Sequence, residues 1–356
     1  DLPPPKQFSQ AVREIAGQDH PGIHGYMNNA GWPEVREKVA DYLTRTQGAG
    51  LSKPFGSDQV VMTVGAAGAM NAVLRAVLDE GSEVIALAPY FMEYNFYAAN
   101  HGGHITVSQT DSLFRPDPED LKTKISSTTR AVIINSPNNP TGVIYTAEEL
   151  SRLGAVLREG SERIGRPILL ISDEPYRKLA FNDQELPSIF SAYPWSVLAT
   201  SFSKDLSLAG ERIGYLALNP DLPGGDELLG AVILANRILG FVNAPSLMQK
   251  AAAELLDCTS DLGIYRTRQQ SLVKALRSMG YSLVQPEGTF YIFPQSPLAD
   301  DLAFINLLRE ELILAVPGSG FGRAGHFRLS LCLPQTMIDA SLPGFERALA
   351  RARERG

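Results

Sequence analysis

The chain has 356 residues, 44% hydrophobic and 20% charged, with 31 glycines and 24 prolines; this composition excludes disordered and collagen-like classes and leaves room for roughly two domains. Its 32 basic and 39 acidic residues give a formal charge of −7, so no broad basic face exists to neutralise a nucleic-acid backbone or an anionic membrane, and small molecules become the expected partners. No apolar stretch approaches the ~20 residues that cross a bilayer, no signal pattern opens the chain, and Cys258 and Cys332 are too few for a disulfide framework, so a cytoplasmic protein is expected.

The Pro-rich start precedes a helical pattern over 8–15. Seven short apolar runs rich in Val, Ile or Leu then follow, at 60–64, 83–88, 104–107, 131–135, 168–172, 197–201 and 213–218. Near-continuous apolarity predicts strands buried on both faces. Between them lie helical patterns: Met70, Val73, Leu74, Val77 and Leu78 share one face, as do Leu150, Leu153, Val156 and Leu157, the latter helix opened by a Thr146–Glu149 capping box. The alternation predicts an α/β fold, with a mostly parallel seven-stranded sheet sandwiched by helices and ligands at the carboxyl ends of its strands. From about Pro245 the texture changes to long helical patterns, such as 265–279 closed by Gly280, and short strand-like runs near 290–293 and 327–331, which predict a smaller α+β domain. The expected division is an N-terminal segment 1–22 packing with the small domain, a large cofactor-binding domain 23–257 and a small C-terminal domain 258–356.

Several familiar signatures are missing. The five histidines form no His-Glu-x-x-His, so no metal is expected. The string 318–322 fails the phosphate-loop pattern at Arg323 and reads as a turn, and no Gly-x-Ser-x-Gly elbow occurs.

Four segments that begin where apolar runs stop supply polar groups of another kind. Asn135 to Gly142 reads by itself as a turn. Asp173 leaves a carboxylate at the end of a buried run, where an unpaired charge is costly and needs a cation or a cap. The stretch 201–214 brings together Ser201, Ser203, Lys204 and Arg212; a lysine amine held at the end of a strand can act as a nucleophile towards a carbonyl. Gly65-Ala66-Ala67-Gly68 offers bare backbone N–H groups at a helix N-terminus, where an anion can bind, or equally allows close helix–strand packing.

Together these segments resemble the fold-type I pyridoxal-phosphate enzymes, in particular the class I/II aminotransferases, across essentially the whole chain. The motifs that carry the resemblance are Asn138-Asn139-Pro140-Thr141-Gly142, Asp173-Glu174-Pro175-Tyr176, Ser201-Phe202-Ser203-Lys204 with Gly210-Glu211-Arg212-Ile213-Gly214, Gly288-Thr289-Phe290-Tyr291 and Phe327-Arg328-Leu329-Ser330. The resemblance implies pyridoxal 5′-phosphate as cofactor and Lys204 as the catalytic lysine that holds it. It implies that Asp173 pairs with the pyridine nitrogen, that Tyr176 and Asn139 bond the phenolic oxygen, and that Phe91 stacks on the ring. The phosphate is expected on Ala66, Ala67, Ser201, Ser203 and Arg212, together with Tyr26 from a neighbouring subunit. Arg328, with Asn139, is expected to take the substrate α-carboxylate. Asn243 is expected near the seam of a homodimer with shared active sites. The implied reaction moves an amino group between an L-amino acid and a 2-oxo acid in two ping-pong halves. The same fold hosts lyases, so a β-eliminating lyase is the competing expectation, and a non-catalytic effector-sensing module a further one. Some aspartate-using relatives carry a lysine at the position of Ala67, and Arg237 is a weak candidate for a side-chain-binding arginine, so the preferred donor stays open.

Overall fold

The structure is a computed structural model that describes residues 2–18, 22–181 and 185–355. Seven strands form one sheet: β1 Val60–Thr63, β2 Glu83–Ala88, β3 His104–Gln109, β4 Thr129–Asn135, β5 Leu169–Asp173, β6 Ser196–Ser201 and β7 Gly214–Leu218. Their spatial order is β1-β7-β6-β5-β4-β2-β3, and only β7 runs against its neighbours. The expected α/β sheet is thus present, with strand ends displaced by a residue or two.

Alternation along each strand explains the apolar runs. Ile85, Leu87, Val132, Ile134, Leu170 and Leu198 point into one core, against Val35, Val39 and Leu43 of the helix Pro33–Gln47 and Leu150, Leu153 and Leu157 of the helix Ala147–Ile164. Val84, Ala86, Ala131, Ile133, Ile171 and Val197 point the other way, against Met70, Val73 and Leu74 of the helix Gly65–Val77 and Val232 and Ala235 of the helix Gly225–Ile238. A strand with helices on both faces has no solvent side to make polar, so its period-2 signal disappears. The runs for β3 and β4 stop short in the sequence because their outer residues are polar but bonded. Ser108 Oγ donates to Asp120 Oδ2 at 2.9 Å, and Thr129 Oγ1 donates to the carboxylate of Glu83.

Five parallel strands and β1 end at one rim, where antiparallel β7 begins. Register places Asn135 beside Asp173, Asp173 beside Ala199, and Gly214 beside both Thr63 and Ser201. Every polar segment singled out in the large sheet therefore leaves the core at the same edge.

The C-terminal third builds a three-stranded antiparallel sheet, β8 Tyr291–Ile292, β9 Val316–Pro317 and β10 Phe327–Ser330, in the order β8-β10-β9. Helices Leu262–Met279, Asp301–Glu310 and Gln335–Arg353 pack on it through Leu272, Leu276, Phe304, Phe345 and Leu349. The helix read over 265–279 starts earlier, at the Asp261 cap, whose carboxylate accepts from Gly263 N, and ends as expected at left-handed Gly280. Tyr176 and Leu179, which follow β5, join this second core. Thr289 N donates to Leu179 O at 2.9 Å and Gly288 N to Gly142 O at 2.9 Å, tying the large-sheet rim to the smaller sheet.

Of the N-terminal segment, Leu2 packs against the C-terminal core. The helix Lys6–Ala16 packs through Ala11 and Ile15 on Ala251 of the helix Ser246–Ala253, and its Phe8 also packs against the large-sheet core. Residues 1 and 19–21 of that segment lie outside the described residues. Among the described residues no helix is long and apolar enough to cross a membrane.

The Thr146–Glu149 capping box is present: Thr146 Oγ1 accepts from Glu149 N at 3.2 Å, and Glu149 Oε2 accepts from Thr146 N at 2.7 Å. Thr146→Ala removes one arm, so urea unfolding should show a loss of about 1 kcal/mol with an unchanged denaturant slope. A wild-type midpoint would contradict the assignment.

Candidate active site

The rim opens into a cleft of about 310 Å³. Lys204, Asp173, Tyr176, Asn139, Phe91, Ala66, Ala67, Ser201, Ser203, Arg212 and Arg328 all line it, although they come from segments far apart in the chain. Tyr26 does not. The residue is 95% exposed, on a loop that Arg237 and Asn243 fasten: Arg237 Nη1 donates to Asn29 Oδ1 and Asn243 Nδ2 to Asn28 O, both at 2.9 Å. Arg237 likewise does not line the cleft.

Asp173 is the last residue of β5 and is buried. Asn135, its register partner on β4, donates Nδ2 to Asp173 O at 2.6 Å and accepts Asn139 N on Oδ1 at 2.6 Å, so one amide fixes both the acid and the turn that carries Asn139. Tyr94 OH donates to Asp173 Oδ2 at 2.6 Å, while Asp173 Oδ1 is buried with no partner. Burial pushes the Asp173 carboxyl up to about 7; the Tyr94 bond opposes this, the Glu174 charge adds to it and the Lys204 charge opposes it. Tyr94 was not legible as a site residue. Its only signal was helical spacing, three residues after Phe91, whose ring it meets edge-to-face at 5.8 Å.

The anion-binding side is built by close backbone approach. Gly65 opens the helix Gly65–Val77 at φ 68°, and a Cβ there would stand 2.9 Å from Arg212 Nη2. Gly214 begins β7, where a Cβ would meet Thr200 O at 2.3 Å. Glycine at 214 lets β7 run close to the Gly65 backbone, and glycine at 65 lets the Arg212 guanidinium lie over the first turn of the helix, in the cleft that Ala66, Ala67, Ser201 and Ser203 also line. Arg212 Nη1 donates to Ala209 O at 3.0 Å, and among the described residues no carboxylate pairs with it. The nearby Lys204 ammonium is lowered by burial, with the Cys332 thiol opposing and the Arg212 and Arg328 charges adding. Its Nζ sits 5.9 Å from the centre of the Phe290 ring.

Arg328 enters from β10. Its Nη1 donates to Asn139 Oδ1 at 3.0 Å, and its guanidinium lies 4.4 Å from the Tyr291 ring centre and 4.9 Å from that of Phe321. Two aromatic rings hold the planar group in one orientation without neutralising it. Phe321 was hidden in the string read as a turn; the turn is real, a 3-10 turn Gly318–Phe321, and its last side chain serves the cleft. Tyr291 OH lies 3.4 Å from Tyr176 OH, and burial holds the Tyr176 phenol well above its ordinary value, so it remains a donor.

The Asp173 shift sets a pH signature. Its folded value lies above that of an unstructured carboxyl, so its contribution to stability is present below the unfolded value near 4 and is lost as pH rises through about 7. With no cofactor added, Asp173→Asn should gain on the wild type in urea midpoint from pH 4 to pH 8. A pH-independent difference would contradict a buried, strained carboxylate.

Comparison with known proteins agrees with this geometry. The family model for aminotransferase class I and II matches residues 2–342. An aspartate/prephenate aminotransferase of Thermus thermophilus is 29% identical over 99% of this chain and 89% of its own, and an aspartate aminotransferase of Thermotoga maritima is 32% identical over 97% and 88%. The crystal structure of an aminotransferase from Eubacterium rectale superposes with a TM-score of 0.95 at 35% identity, covering 99% of this chain and 88% of that one. The chain thus belongs to the class I and II aminotransferases, a pyridoxal-phosphate-dependent family that moves amino groups between amino acids and 2-oxo acids.

Proposed function

We propose that this cleft binds pyridoxal 5′-phosphate and runs both halves of a transamination on it. The observation that carries the reading is the buried, unpartnered Oδ1 of Asp173 facing the same cleft as Lys204. An orphaned carboxylate oxygen of raised pKa is suited to a ligand N–H that carries positive charge, and a pyridinium is such a group. When bound, the cofactor supplies an electron-withdrawing ring that makes the substrate Cα–H acidic.

The chain's own residues do the rest. Ala66 and Ala67 N–H, Ser201, Ser203 and Arg212 would hold the phosphate, Phe91 would lie against the ring, and Tyr176 and Asn139 would donate to the phenolic oxygen. Arg328, kept flat between two rings, takes the substrate α-carboxylate bidentately. Lys204, whose amine burial shifts towards its neutral form, would hold and move the proton taken from the substrate Cα. Reversal with a second oxo acid gives ping-pong kinetics.

The exposed Tyr26, with Leu234 and Ile238 at 57% and 59% exposure on the helix Gly225–Ile238, supports a twofold homodimer in which Tyr26 serves the neighbouring phosphate. We also take the chain to divide near residue 258 and to work in the cytoplasm. No observation favours the lyase or the effector-sensing module, and the relatives above are named aminotransferases.

Incubation with amino donors and 2-oxoglutarate should yield glutamate without stoichiometric ammonia; ammonia and pyruvate from a cysteine-type substrate would contradict the reaction. Arg328→Ala should lower kcat/KM for every donor by roughly 10- to 100-fold, the ~1.5–3 kcal/mol of losing charged hydrogen bonds, and Arg328→Lys should not restore it. A loss confined to some donors would place Arg328 on the side-chain pocket instead.

A further inference from the structure

The charges lining the cleft do not come out even. Its cations are Lys204, Arg212 and Arg328, and its carboxylates are Asp173 and Glu93. On the functional reading above, on which this inference rests, Lys204 and Asp173 belong to the cofactor, Arg212 to the phosphate and Arg328 to the α-carboxylate. Glu93 is left over. It begins the short helix Glu93–Ala99, and among the described residues no cation pairs with it. Its Oε2 accepts from Tyr97 OH at 2.6 Å, one helical turn on, and Tyr97 also lines the cleft. The neighbouring lining at Ala67, Met70 and Phe91 carries no charge.

We infer that Glu93 is a specificity-determining residue that directs the site to monocarboxylic amino acids and against those with an acidic side chain. A second substrate carboxylate entering this cleft finds both arginines engaged and the one phenol near Glu93 already donating to it. It approaches a charge of its own sign at the exposed Glu93, and the adjoining Ala67, Met70 and Phe91 side chains offer its oxygens no donor. An uncharged side chain meets neither cost, since it contacts Met70, Phe91 and the ring of Tyr97. The preference separates this chain from relatives whose names specify aspartate.

The test uses the cofactor-loaded protein and two readouts. Calorimetric titration compares 4-methylpentanoate with succinate, neither of which has an amino group to react. Stopped-flow half-reactions compare leucine with aspartate. The monocarboxylate should bind, and leucine react, at least tenfold better, and Glu93→Gln should shrink both ratios by about tenfold, which corresponds to ~1.4 kcal/mol. Glu93→Asp, which keeps the charge, should preserve the direction of both. Succinate binding as tightly as the monocarboxylate, aspartate reacting as fast as leucine, or ratios that Glu93→Gln leaves unmoved would overturn the inference. The wild-type ratios decide it even if a variant fails to fold. If neither donor converts the cofactor, the transaminase reading fails, while the binding ratio still reports on Glu93.

Discussion

A carboxylate at the end of a central strand, desolvated and only half satisfied, is the constraint around which the rim is arranged. Asp173 could be stabilised by a protein cation, and the chain has one close by in Lys204, but among the described residues none comes within ion-pair distance of it. Instead a neutral phenol takes one oxygen and the other stays unpaired. Burying a charge in this way costs free energy, and burial accordingly pushes the carboxyl up to about 7. The same arrangement leaves a strong acceptor at the rim, and on the proposed reading a cationic ring nitrogen would satisfy it.

The sheet makes this arrangement possible. Parallel strands carry their carboxyl ends to one edge, and register then decides which residues meet there: Asn135 reaches Asp173 because β4 and β5 pair at those two positions. Antiparallel β7 does different work. Starting at the rim, it brings Arg212 to the first turn of the helix after β1, where Gly65 lacks the Cβ that would crowd the guanidinium and Gly214 lacks the one that would crowd Thr200 O and the Gly65 backbone. Arg328 arrives from the smaller sheet, so the two ends of a bound amino acid–cofactor pair would be held by different layers. Backbone contacts at Gly142, Leu179, Gly288 and Thr289 hold those layers in register.

Much of this was legible in the sequence because strands buried on both faces leave dense apolar runs and because the rim residues recur in recognisable short motifs. What was not legible has a common cause. Ser108 and Thr129 extend strands whose ends are polar, since each is paired with a carboxylate distant in sequence. Tyr94, Phe321 and Glu93 lie in ordinary-looking helix or turn segments, and only tertiary proximity shows that one supports Asp173, one flattens Arg328 and one charges the cleft wall. The helix Lys6–Ala16 shows the same limit: its periodicity revealed an apolar stripe without revealing its neighbour.

The central claim, that Lys204 and Asp173 together form the seat of the cofactor, is tested most directly by adding pyridoxal phosphate, reducing with borohydride and mapping the modified peptide. The account predicts one stoichiometric adduct, on Lys204, and its loss in Lys204→Ala. A stable adduct on another lysine, or undiminished labelling of the variant, would contradict it.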